Sequence, residues 1–104
     1  MELLVDHDSY GEIQPWFVFQ LVSRIKEQLE IAGLTGAALK DATTDMASVV
    51  CSEIDGASGF QVGGTEITPY LTFSAHEDYM LYPGSPSYLS EYASRVVEEL
   101  FEED

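Results

Sequence analysis

The stretch GFQVGGTEITPYLTFS (residues 59–74) decides the fold class. Phe60 and Val62 alternate with polar neighbours, Gly63-Gly64 supplies the positive φ angles of a two-residue turn, and Ile67, Leu71 and Phe73 continue on a single face. The segment therefore reads as an antiparallel hairpin with one buried side, set in a chain that is otherwise helical in its periodicity. Pro69 cannot donate to a ladder, so the second strand is expected at an edge, bulged, or bonded only on its other side there. YMLYPG (79–84) is expected to return as a third strand through a turn from Ala75 to Asp78, and ELLV (2–5) to add a further short strand.

Upstream of the hairpin the apolar residues follow a helical period. A helix is predicted from about Pro15, a residue suited to the first helical position, to Ala32, with Gly33 where helices commonly end. Val18, Leu21, Val22, Ile25, Leu29 and Ala32 share its core arc, opposite Gln20, Arg24, Glu27 and Glu30. Trp16, Phe17 and Phe19 fall outside that arc, so the first turn is apolar nearly all round and needs cover from the same chain or from a second copy in a homodimer. A second helix is predicted from near Thr35 to Asp55, closed by Gly56 and antiparallel to the first across a short link. Its apolar stripe is Leu39, Ala42, Met46, Val49, Val50 and Ile54, and Glu53 sits within that stripe as the candidate perturbed carboxylate.

Downstream, Ser85-Pro86 is read as the N-cap and first residue of the last helix, with Leu89, Tyr92, Ala93, Val96, Val97 and Leu100 facing the core. The expected fold is one small α+β domain over residues 1–104: two N-terminal antiparallel helices, a central antiparallel two- or three-stranded sheet, and a C-terminal helix packed on it.

Charge sets the functional expectations. Nineteen Asp and Glu against four Lys and Arg give a formal charge of -15, a field that repels nucleic acid and anionic lipid and favours a basic protein partner or a cation. General solubility or adaptation to high salt explains the same bias without a partner. The acids crowd one place in particular: Glu98, Glu99, Glu102, Glu103 and Asp104 stand at the negative pole of the last helix, where cations are the stabilising choice. Local helix energetics do not explain that terminus, so Glu98, Glu99, Glu102 and Glu103 are read as the partner-binding surface.

Motifs for chemistry are sparse. His7, Asp8, His76 and Glu77 offer ligand types for a metal or a small hydrolase, without a diagnostic spacing. Neither a nucleophile elbow nor a phosphate-binding glycine loop occurs, and no catalytic residue or cofactor is assigned. The backbone N–H groups after PGSPS (83–87), with Ser85 and Ser87, suit a small anion. Tyr79, Tyr82, Tyr88 and Tyr92 suit an amphipathic groove. The lone Cys51 excludes an intrachain disulfide, and with no signal-peptide pattern or apolar span a cytoplasmic location is expected, with no membrane partner. The leading expectation is a non-enzymatic interaction module, inhibitor- or immunity-like, that binds a basic protein. The alternatives are a metal-binding protein or small hydrolase, and a homodimeric structural domain.

Overall fold

The computed structural model describes residues 2–76 and 79–102. Elements run β1 (Glu2–Val5), α1 (His7–Ile31), α2 (Gly36–Ile54), β2 (Phe60–Val62), β3 (Thr65–Ile67), β4 (Phe73–His76), β5 (Tyr79–Tyr82) and α3 (Ser90–Glu102). The fold is α+β, and no helix among the described residues is long and apolar enough to cross a membrane.

Helix α1 begins eight residues before Pro15. Asp6 is its N-cap, the carboxylate accepting from the Ser9 backbone N–H at 3.1 Å, and Pro15 lies in the helix interior. The three residues that anchor this added length are Tyr10 and Gln14, both fully buried, and Gly11, where a side-chain carbon would come within 2.9 Å of the Tyr88 hydroxyl. Both long helices end as the glycines foretell. Gly33 (φ 101°) and Gly56 (φ 78°) take the left-handed position, and the N–H groups of Leu34 and Ala57 reach back to Leu29 and Ser52 carbonyls.

Helix α2 has the expected bounds but a different buried face. Leu39, Thr43, Ala47 and Cys51 face inward, while Met46 and Val49 are exposed. The reason is steric: α2 packs against both α1 and α3, and a line of mostly small residues lets it approach both closely. Thr43 is tolerated there because its hydroxyl donates to the Leu39 carbonyl at 2.7 Å. The core joins Val18 and Val22 of α1, Ala47 and Cys51 of α2, and Leu89, Ala93, Val96 and Val97 at α3. Leu71, from the segment before β4, packs against the same cluster and brings the sheet region to it.

Two separate sheets replace one. The hairpin β2–β3 forms around Gly63 (φ 56°) and Gly64 (φ 83°), pairing Phe60 with Ile67. Phe60 and Val62 are nevertheless exposed, so the expected buried side is not packed on the core. Pro69 falls in the break after β3, and the chain re-enters pairing only at Phe73 in a second sheet of order β1-β5-β4. There β1 runs parallel to β5, and β4 runs antiparallel to it with a bulge between Ser74 and His76. Two residues of the turn expected between β4 and β5 lie outside the described residues. Phe73 links this sheet to α1, its ring 5.0 Å from that of Tyr10 and 5.6 Å from that of Phe17.

Candidate interaction surface

The donors after PGSPS that suit a small anion are taken by the chain's own carboxylate. Asp55, the C-cap of α2, accepts from the Ser87 hydroxyl at 2.7 Å, the Leu89 N–H at 2.8 Å and the Ser90 N–H at 2.9 Å, and also from the Ser90 hydroxyl. The first α-helical residue of α3 is therefore Ser90, five residues after the Ser85 cap expected from local sequence. Glu53, by contrast, is exposed on α2, away from the buried face. The carboxylate with a structural task is two residues further on, where the helix ends and its side chain can turn toward a neighbouring helix.

A polar cluster backs this junction. The Gln14 side-chain oxygen accepts from the Tyr88 N–H at 2.9 Å, and the Tyr10 hydroxyl donates to the Leu71 carbonyl at 2.6 Å. Burial pushes the Tyr10 phenol up to about 12, against a smaller opposing pull from the Ser87 hydroxyl, and burial likewise pushes the Cys51 thiol up to about 11. Both groups stay neutral across the physiological range, and neither is an activated nucleophile or base.

The acidic terminus has internal partners that the sequence conceals. Lys40 of α2 lies 3.4 Å from the Glu98 carboxylate, and Lys26 of α1 donates to the Leu100 carbonyl at 3.3 Å with its ammonium 4.6 Å from the Phe101 ring centre. These are the chain's two lysines, delivered by the other two helices to the pole where cations belong. The support for this helix end is therefore tertiary rather than local. Arg95 lies 4.0 Å from Glu99 and over the Tyr92 ring, and Arg24 lies 3.9 Å from Glu27. All four cationic side chains are engaged internally. Glu103 lies outside the described residues, and Glu102 is exposed.

The aromatic residues of α1 part company. Phe17 is half-buried against the core and Phe73, whereas Trp16 is 76% exposed and Phe19 42%. Trp16 and Phe19 line a groove of about 190 Å³ with Pro15, Arg95, Val96 and Glu99. The expected oligomer contact and the expected acidic surface therefore meet at one place. Glu12 stands one turn before Trp16 on α1 and Glu102 one turn beyond Glu99 on α3, so carboxylates flank the groove on both helices. Its volume is below the roughly 300 Å³ at which small-molecule sites usually begin. A single inserted side chain is the better fit.

The backbone register sets the two histidine positions apart. His7 opens α1 just beyond Val5, which pairs with Tyr82, whereas His76 pairs with Tyr79, at the other end of β5. The register separates them by at least three strand steps, roughly 10 Å. Asp8 is exposed in the first turn of α1, and Glu77 and the side chain of His76 lie outside the described residues. Among the described residues no three His, Cys, Asp or Glu side chains group as metal ligands. Of the tyrosines, Tyr82 stacks on Tyr70 at 5.8 Å and Tyr88 lies 6.0 Å from Tyr92, and the side chain of Tyr79 is outside the described set.

No protein-family model matches the chain, and neither a curated protein nor a solved structure does.

Proposed function

We propose that this protein is a non-enzymatic interaction module that binds a basic protein through the groove of Trp16 and Phe19 and the acidic surface of α3. The observation that carries the reading is the adjacency of a three-quarters-exposed tryptophan to Glu99. Exposed aromatic anchors with a charged rim are the usual composition of a binding hot spot. The net charge of -15 supplies long-range attraction, since nineteen Asp and Glu outnumber four Lys and Arg and most carboxylates are in excess. The partner class is a basic surface presenting one apolar side chain to the groove, as in an inhibitor or immunity-like complex.

The test is calorimetric titration with a lysine-rich amphipathic peptide, with the fluorescence of the sole tryptophan as a site-specific readout. Affinity is expected to fall at least about tenfold between low and physiological salt, and to fall again in Trp16→Ala and in a Gln replacement of Glu98, Glu99, Glu102 and Glu103. A flat salt response, or full affinity in Trp16→Ala, overturns the reading. Trp16 also supports the alternative of self-association, which light scattering on wild type and Trp16→Ala distinguishes.

A further inference from the structure

The sheet β1-β5-β4 has two edges, and they are built differently. The β4 edge carries a bulge between Ser74 and His76, a common device for blocking further pairing. The β1 edge carries none: its four residues pair with β5 in unbroken register from Glu2↔Tyr79 to Val5↔Tyr82, with no proline or positive φ angle. The side chains at positions 3 to 5 are apolar and exposed, Leu3 being 60% and Val5 63% exposed, with Leu4 exposed between them. The parity of the strand is fixed by the next residue. Asp6 N–H donates to the Tyr82 carbonyl at 3.1 Å, so alternation turns the N–H and C=O groups of Leu3 and Val5 away from β5, toward the open edge.

We infer that β1 is a docking edge for an extended, basic segment of a partner protein, which adds to the sheet as a fourth strand. Charge selects this occupant over a second copy. Residues 1–23 contain Glu2, Asp6, Asp8 and Glu12 and no lysine or arginine. An antiparallel pairing of two copies centred on Leu4 sets position 2 of each strand opposite position 6 of the other, acid against acid at both ends, which is destabilising. A partner strand with three apolar residues between lysines or arginines meets the same edge with opposite charge. Main-chain bonds to Leu3 and Val5 give affinity, and the flanking charges give register. The basic character of the partner is shared with the groove reading, while the site is not, so either can fail alone.

The experiment is an NMR titration of the isotope-labelled chain with the peptide Lys-Arg-Val-Ile-Val-Arg-Lys. Amide shifts are expected at residues 3–5 and their β5 neighbours, and the same peptide with Glu in place of Lys and Arg is expected not to bind. Leu3→Pro removes an outward N–H without touching the β5 ladder, and Leu3→Lys changes only an exposed side chain; each should weaken binding about tenfold or more while the helix signals stay in place. Shifts confined to Trp16 and Phe19, or no binding up to about 1 mM peptide, would sink the inference. So would a wild-type dimer by light scattering that Leu3→Lys converts to monomer, because the edge then belongs to a second copy.

Discussion

At the residue scale Asp55 couples two helices through one carboxylate. It ends α2, and the same carboxylate accepts the first free N–H groups of α3, so the start of one helix depends on the end of another. Asp55→Ala is expected to cost about 2–3 kcal/mol in chemical denaturation, with Asp55→Asn recovering part of it, since charge-assisted capping bonds exceed neutral ones. Tyr10 supplies a pH signature. Its folded pKa, raised from 10 to about 12, keeps its full stabilising contribution below pH 10 and loses it as pH rises toward 12; Cys51 does the same between 9 and about 11. Denaturation midpoints should therefore fall steadily from pH 9 to 12, and the double variant Tyr10→Phe, Cys51→Ala should flatten that decline. None of these partnerships is local: Asp55 reaches a segment more than thirty residues away, and a sequence pattern carries no sign of it.

At the scale of elements, legibility followed the range of the determining contact. The end of helix α2 and the β2–β3 hairpin are readable because Gly56, Gly63 and Gly64 act on their own neighbours. The starts of α1 and α3 differ from the local pattern because Pro15 and Ser85-Pro86 imitate helix openings, whereas the groups that accept at those ends are Asp6 and, from another helix, Asp55. The α2 core face was shifted because hydrophobicity favoured Met46 and Val49, while close packing between two helices favoured Thr43 and Ala47. In the candidate surface, Trp16 and the α3 carboxylates were legible one by one; their juxtaposition at the groove was not. The cationic support of α3 from α1 and α2 predicts a local effect. Replacing Lys26 and Lys40 by Gln should accelerate hydrogen exchange at Leu100 to Glu102 several-fold and leave the buried amides of α1 unchanged, because the Lys40 pair is solvent-exposed and worth no more than about 1 kcal/mol.

At the scale of the molecule, nineteen acids and four bases make self-repulsion a property of the fold itself. Screening should relieve it, so the thermal midpoint should rise as salt is raised from about 0.05 to about 0.5 M, the range over which the Debye length contracts to a few ångströms. Binding of a basic partner should respond to salt in the opposite direction, and the pair of measurements separates the electrostatics of folding from those of recognition. The placement of Lys26 and Lys40 has a last consequence, for covalent chemistry. The chain holds two side-chain amines, and both serve the end of α3. An acyl group on Lys26 or Lys40 would discharge a cation at that helix end, so acylation and the release of its last turn are expected to be coupled events.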